Sequence, residues 1–202
     1  MALNFAKNNS LSAITALPAS VSGGGLNLIS TQTASSSATI SFTSGLDSTY
    51  KEYIFKFYNI HPQTNTTKLQ INASADSGSN YNVTKTTNYF QAYHTESDSA
   101  TALQYYANRD LAQSTSAQQL KDIGNTNDDS ASGTLHLFNP SSETFVKHFF
   151  STFTGATGES TQNLHNSFVG GYFNTTSAID AIQFSMSSGN IDAGTIKLYG
   201  VT

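Results

Sequence analysis

The sequence predicts an all-β protein, an antiparallel β-sandwich of the jelly-roll type. Apolar and polar residues alternate with a period of two in about nine or ten short segments, and this is the period of a half-buried strand. Clusters of Gly, Ser, Asn and Asp separate the segments, as turns do. Each such strand has one apolar face, which is stable only when a second layer packs against it. Two sheets packed face to face would bury the apolar faces of all the segments.

The composition favours one domain and argues against several classes of partner. The chain has 202 residues, a length common among single-domain sandwiches, and contains no cysteine. Only 11% of its residues are charged, against about 25% in an average protein. Because Lys and Arg form no stripe that could bind phosphates, we expect no nucleic-acid partner. No apolar run approaches the roughly 20 residues that span a bilayer, and the first residues lack the apolar core of a secretory signal. We therefore expect neither membrane insertion nor secretion.

The first 25 residues are predicted to form an extended arm, and residues 26–202 a single sandwich domain. Pro18 and the glycines at 23–25 argue against a helix and favour a hinge. The apolar residues of the arm follow no strict period of two. They include Leu3, Phe5 and Leu11. We expect these side chains to pack on a neighbouring subunit or another virion protein; the alternative is that the arm adds an edge strand to its own domain.

The most aromatic segment, residues 50–60, is predicted to be a central strand. It follows an early strand at 38–42 and a turn at 44–49. Tyr53, Phe55 and Phe57 lie on one face, and Ile54, Lys56 and Tyr58 on the other. Bulk on both faces is typical of a strand that is covered on both sides or that lines a subunit interface.

A second aromatic segment, residues 145–153, strengthens the prediction of an interface. The two segments carry more aromatic side chains than one sandwich core needs, and aromatic residues are enriched at interface cores. We therefore predict a homo-oligomer, a trimer. The strand residues assigned to its interface are Tyr53, Phe55, Phe57 and Phe149.

The middle of the chain contains both clear strands and an ambiguous region. Leu69, Ile71 and Ala73 alternate with polar residues, and residues 81–90 continue the pattern with Val83 and Tyr89 as inward residues. Residues 94–124 are predicted to be a long loop region with a short helix near residues 100–107, where Leu103, Tyr106, Ala107 and Leu111 have helical spacing.

The last third of the chain is predicted to be strands throughout. The strand that starts at Leu135 ends at the turn Asn139-Pro140, and Gly170-Gly171 indicates a bulge or a close backbone approach in the strand 164–173. Residues 179–202 are predicted to form a β-hairpin with one apolar face. That face carries Ile182, Phe184, Met186, Ile196 and Leu198.

No motif in the sequence assigns a catalytic, cofactor-binding or metal-binding residue. The five histidines have no close metal-ligand spacing, although His136 and His148 fall in adjacent strands. The acidic segment 125–129 lacks the Gly and the terminal Glu of an EF-hand loop, so we interpret it as a solvated turn. No serine lies in a Gly-x-Ser-x-Gly motif, and no glycine-rich phosphate loop follows a strand. We therefore expect no cofactor and no enzymatic activity.

Three segments resemble a known group of proteins. The closing segment 188–200 (SGNIDAGTIKLYG), together with 46–53 (LDSTYKEY) and 137–142 (LFNPSS), resembles small β-sandwich virion structural proteins of marine and cyanobacterial tailed phages. The shared motifs are structural, and no catalytic residues are carried over from the group.

The resemblance implies a non-enzymatic structural protein, made in the host cytoplasm and carried on the exterior of the virion. The leading interpretation of this structural role is a tail-fibre or adhesin-type module that contacts the host surface. Its partners would be other virion proteins, and a host surface glycan is a candidate ligand. The alternative is a capsid decoration (cement) protein that clamps neighbouring capsid subunits. A third and more distant reading is a carbohydrate-active enzyme or a lectin.

Overall fold

A computed structural model describes residues 25–157 and 163–202, which form two packed antiparallel sheets. The strands of these described residues are β1 (Leu26–Thr33), β2 (Thr39–Phe42), β3 (Glu52–Pro62), β4 (Thr67–Ser74), β5 (Lys85–Thr95), β6 (Thr101–Tyr105), β7 (Gln118–Ile123), β8 (Ala131–Phe138), β9 (Lys147–Thr157), β10 (Asn163–Phe173), β11 (Ala181–Met186) and β12 (Ile191–Val201). A short 3₁₀ helix, Ala107–Arg109, follows β6. The predicted β-sandwich is confirmed; the arm, with Leu3, Phe5 and Leu11, lies outside the described residues apart from Gly25.

The strand order is that of a jelly roll with two insertions. The large sheet runs β1-β12-β3-β8-β9-β10-β5-β6, and the small sheet runs β2-β11-β4-β7. Without β5, β6, β9 and β10, two four-stranded sheets remain, β1-β12-β3-β8 and β2-β11-β4-β7. Their chain connections are those of the eight-stranded, double Greek-key jelly roll. The four inserted strands extend the large sheet beyond the edge of the small one.

The core lies between the two sheets and is built from the inward residues of the original eight strands and from apolar inward residues of β5, β9 and β10, such as Tyr89, Phe149 and Val169. Phe184 of β11 contacts Phe55 and Phe57 of β3 edge-to-face, with ring centroids 5.3 and 4.9 Å apart. Phe42 packs against Phe55 at 5.2 Å. Edge-to-face contacts of this kind add roughly 0.5–1.5 kcal/mol beyond area burial.

The strand residues assigned to an oligomer interface are buried within the single chain. Tyr53, Phe55, Phe57 and Phe149 are all at most 2% exposed, and all belong to the core cluster. The Tyr53 hydroxyl also donates to the backbone oxygen of Asp47 at 3.0 Å. The aromatic bulk that suggested an interface is therefore used by the core, and these four side chains are not available to a partner.

The expected C-terminal hairpin is correct in its burial and wrong in its pairing. Ile182, Phe184, Ile196 and Leu198 are fully buried, as predicted. However, β11 pairs with β2 and β4 in the small sheet, whereas β12 pairs with β1 and β3 in the large sheet. The turn at Gly189 thus carries the chain from one sheet to the other. Alternation fixes which face of a strand is apolar and says nothing about which strand is its neighbour.

The helix predicted near residues 100–107 is also wrong. Thr101–Tyr105 forms β6 and pairs with β5 in a regular register, Leu103 opposite Ala92. Hydrogen bonding to an available strand edge outweighs the helical composition and spacing of so short a segment, because isolated helices of this length are not stable.

Gly171 marks a close backbone approach and no bulge. Strand β10 pairs with β5 and β9 without a register shift. A Cβ at Gly171 would lie 2.6 Å from the backbone oxygen of Thr86. Tyr89 is buried as predicted, and Val83 packs against the core.

Candidate functional site

The candidate site is a polar cavity that the inserted strands create. It has a volume of about 400 Å³ and lies on the inward face of β5, β6 and β10, next to the edge strand β7. At this place the large sheet extends past the small one, so the inward side chains have no apolar layer to meet. The described lining residues are Gln91, Tyr93, Thr95, Ser99, Ala100, Gln104, Tyr106, Arg109, Asp122, Thr157, Asn163 and His165.

Strand register brings the lining residues side by side. Gln91 lies opposite Gln104 on β6, and Tyr93 lies opposite His165 on β10. Thr95 lies opposite Asn163 in the next inward row. In these rows the inward positions of the inserted strands hold amides, hydroxyls and rings, whereas inward positions of the jelly-roll strands hold Phe and Leu.

Arg109 is the best-anchored side chain of the cavity. Its guanidinium lies 5.0 Å from the ring centroid of Tyr89 and 4.7 Å from that of Tyr106, and it forms an ion pair with Asp122 of β7. It also donates to the Tyr89 hydroxyl at 3.1 Å. Only 17% of the Arg109 side chain and 9% of the Asp122 side chain are exposed. The ion pair thus joins the segment after β6 to the small sheet and neutralises both charges.

Amides and phenols continue this network across the floor of the cavity. The Tyr89 hydroxyl donates to the Gln91 side-chain oxygen at 2.9 Å, and the Gln91 amide donates to the Tyr106 hydroxyl at 3.2 Å. Tyr106 in turn donates to the Gln104 side-chain oxygen at 2.6 Å. Each bond fixes the rotamer of its neighbour, so the network presents polar groups in a fixed arrangement. Burial raises the pKa of Tyr89 to about 12, so its phenol stays protonated.

His165 contributes a neutral ring to the cavity. Burial, together with the positive charge of Lys121, lowers the pKa of His165 to about 4. Its ring centroid is 5.8 Å from that of Tyr93. With His165 neutral and Arg109 paired with Asp122, the described lining carries no net charge near pH 7.

Three polar atoms in the cavity wall have no hydrogen-bond partner among the residues that the structure describes. They are His165 Nδ1, Asn163 Oδ1 and Thr157 Oγ1. Buried polar atoms in native proteins are nearly always paired, because an unpaired one costs about 1–3 kcal/mol. Their grouping around one cavity indicates hydrogen-bonding capacity that the described residues do not use.

The residues singled out from the sequence lie elsewhere. His136 bonds Glu52 at 2.6 Å and stacks on Phe150, whereas His148 lies against Tyr172, so the two histidines belong to different contacts. In the acidic segment, the Thr126 hydroxyl donates to Asp129 at 2.6 Å. Within the part of the chain that the structure describes, no cluster of three His, Asp or Glu could hold a metal ion.

The sequence analysis did not predict the cavity, because the residues that line it come from strands that are far apart in the sequence. One signal was available: the inward positions Gln91, Tyr93 and Thr95 continue the face of the buried Tyr89, as Asn163 and His165 do before Val169. Polar residues on an otherwise inward face indicate either a buried network or a site.

Comparison with known proteins gives no match from which a function could be assigned. No family model, curated protein or solved structure matches the chain. The described residues contain no helix that is long and apolar enough to cross a membrane.

Proposed function

We propose that this protein is a non-enzymatic, adhesin-type module on the exterior of a tailed-phage particle, which contacts the host surface by binding an uncharged saccharide in the polar cavity. The observation that carries the binding role is the cavity itself, with its fixed amides, phenols and hydroxyls and its balanced charge. Its volume, about 400 Å³, lies within the range of small-molecule sites. The phage context rests on the resemblance of the three segments described above.

The chemistry of the lining matches a neutral polyol better than an anion. Gln91, Gln104 and Asn163 offer amide donors and acceptors, which suit sugar hydroxyls that both donate and accept. The Tyr93 ring can stack on the apolar face of a sugar. Arg109 already pairs with Asp122, so an anion that bound Arg109 would leave the buried Asp122 carboxylate without its partner.

A binding role also fits the lining better than hydrolysis does. Glycoside hydrolysis uses two carboxyl groups about 5–9.5 Å apart, on either side of the scissile bond. Among the described lining residues Asp122 is the one carboxylate, and Arg109 holds it in an ion pair.

A capsid decoration role is the second candidate, because jelly rolls occur both in viral capsid domains and in lectins. In that role the arm would lie along the shell and the cavity would be incidental. A density map of the whole particle distinguishes the two, since an adhesin would lie on the tail and a decoration protein on the capsid surface.

A glycan array tests the proposed binding role. The labelled full chain is expected to bind neutral saccharides and to bind sialylated or sulfated ones more weakly. Because Tyr93 and Gln104 line the cavity, Tyr93→Ala and Gln104→Ala are each expected to weaken binding by about tenfold, which corresponds to about 1.4 kcal/mol.

Phe145→Ala is the control, because Phe145 is 68% exposed, lies in the β8–β9 connection and is not among the residues that line the cavity. It is expected to bind like the wild type. Absence of binding, a preference for acidic glycans or an equal loss in the Phe145 variant would each overturn the proposal.

A further inference from the structure

The outward face of the extended sheet is uncharged over five neighbouring strands. At the outward positions of β8, β9, β10, β5 and β6, the described residues include no Asp, Glu, Lys or Arg. Aromatic and aliphatic side chains alternate there with Thr, Asn, Ser and His. The larger outward residues are His136, Phe138, His148, Phe150, Leu164, Phe168, Tyr172, Phe90, Leu103 and Tyr105.

Aromatic pairs form two ridges on this face. Phe90 and Phe168 stack with centroids 5.0 Å apart and an interplanar angle of 10°. His136 and Phe150 stack at 4.5 Å, also at 10°. Phe90 is 38% exposed and Phe150 is 42% exposed. These rings therefore cover one another only in part, and their outer surfaces face solvent in the single chain.

A hollow lies between and beside the ridges. Gly170 of β10 pairs with Phe150 on one side and with Asn88 on the other, and it leaves the position between them without a side chain. The hollow continues past His148 and Tyr172 and has a volume of about 500 Å³. The same face thus carries both a projection and a recess.

We propose that this face is a twofold interface with a second copy of the chain, so that the two large sheets stack and the ridges of each copy enter the hollow of the other. A twofold contact brings one patch against itself, and it therefore requires a surface that is self-complementary in shape and free of like charges that would face each other. The outward face meets both requirements.

The size of the face agrees with a stable pair. Five strands about 4.8 Å apart and about eight residues long, at about 3.4 Å per residue, cover about 650 Å². A standard specific interface buries about 800 Å² per partner, and packed side chains add to the flat area. The face is also rich in Phe and Tyr and carries no Asp, Glu, Lys or Arg at the described outward positions, and interface cores are likewise rich in aromatic residues and poor in charges.

The twofold pair replaces the trimer expected from the sequence. A closed trimer needs a heterologous contact, in which two different patches of each copy meet. The residues that suggested a trimer, such as Phe55 and Phe57, are buried in the core, whereas the outward face matches itself.

Light scattering of the full chain at micromolar concentration tests this proposal. The wild type is expected to have the mass of a dimer. Phe150→Lys and, as a variant that removes no apolar packing, Asn166→Lys are each expected to be monomeric, because the twofold axis brings equal charges together. Both variants should still unfold in a single cooperative transition, which shows that they fold, although loss of the partner lowers its midpoint. Asn166 is an exposed residue of the same face.

Phe145→Lys is the matched control, since Phe145 is 68% exposed and lies in the β8–β9 connection outside the strands. It should remain dimeric, and so should a chain without residues 1–24. The proposal would be overturned if the wild type were a monomer or a trimer, or if Phe150→Lys and Asn166→Lys stayed dimeric. It would also be overturned if deletion of residues 1–24 abolished the dimer. None of these outcomes bears on whether a single cavity binds saccharide, which the array tests separately with the cavity variants.

Discussion

The buried ion pair between Arg109 and Asp122 is the residue-scale feature on which the polar interior depends. We expect Asp122→Ala to lower the free energy of unfolding by about 3–5 kcal/mol, because it leaves the Arg109 charge buried without its partner. Asp98→Ala is the control, since the Asp98 side chain is 90% exposed beside His94 and such pairs contribute about 0–1 kcal/mol. Urea unfolding of both variants measures the difference, and equal losses would contradict this description of the pair.

His165 gives the protein a pH dependence with a defined sign. Its pKa in the folded chain is about 4, below the ordinary 6.5, so between these values the unfolded chain binds a proton that the folded chain does not. Stability should therefore fall as the pH drops from 6.5 to 4, by at most about 3 kcal/mol from this group.

Replacing the histidine checks that assignment. His165→Gln should flatten the dependence of the unfolding free energy on pH in that window. His94→Gln, at a histidine whose side chain is 53% exposed, should leave the slope unchanged. If the unfolding free energy of the His165 variant fell as steeply with pH as that of the wild type, a group other than His165 would cause the pH dependence.

At the residue scale the sequence predicts the core better than the site. Alternation identified Phe184, Ile196 and Leu198 as residues of an apolar face that must be covered, and they are buried. It also placed Phe55 and Phe57 on one face, but they were assigned to a subunit interface, whereas they lie in the core. It could not assign Arg109 or Asp122, because what makes them a site is their meeting across two sheets.

At the scale of the element, β10 depends on a glycine that allows close approach. Gly171→Ala would place a Cβ 2.6 Å from Thr86 O and 2.7 Å from Thr87 Cγ2, so the strands must shift. We expect a loss of about 1–3 kcal/mol, as for other overpacked sites. A Cβ at Gly170 would instead have Asn88 Oδ1 as its nearest atom, at 3.2 Å, and this oxygen is the end of an exposed side chain. Gly170→Ala should therefore unfold near the wild-type midpoint, and thermal melts of the two variants compare them directly.

Strand β12 lies between β1 and β3 and is needed for the large sheet. Truncation at Gly189 removes it, with the buried Ile196 and Leu198, and each such side chain contributes roughly 1.5–3 kcal/mol. Against a total stability of about 5–15 kcal/mol, we expect insoluble or molten protein. A truncated chain that is soluble and melts cooperatively would show that β12 is dispensable.

Most strands could be predicted from alternation, and their neighbours could not. Periodicity is a local property, whereas pairing depends on contacts between distant segments such as β1 and β12. Strand β6 shows the same limit, because its partner β5 decides its structure and its own composition favours a helix.

At the scale of the whole molecule, the inserted strands turn a jelly roll into a candidate binding protein. They lengthen one sheet past the other, which produces a polar cavity on the inward side and an uncharged aromatic face on the outward side. The two surfaces lie on opposite faces of the same strands, so a dimer formed through one leaves the other free. Two cavities on one dimer would allow bivalent attachment to a host surface, which strengthens weak individual contacts.

The most direct test of the cavity as the binding site is an amide NMR titration of the full chain with the neutral saccharide that gives the strongest array signal. We expect saturable shifts that cluster at the cavity, around Tyr93, Gln104 and Asn163, and that need about ten times more saccharide to reach their midpoint in Gln104→Ala. Shifts that centre on the outward face around Phe90 and Phe150, or the absence of any saturable shift, would contradict the assignment of the cavity as the binding site.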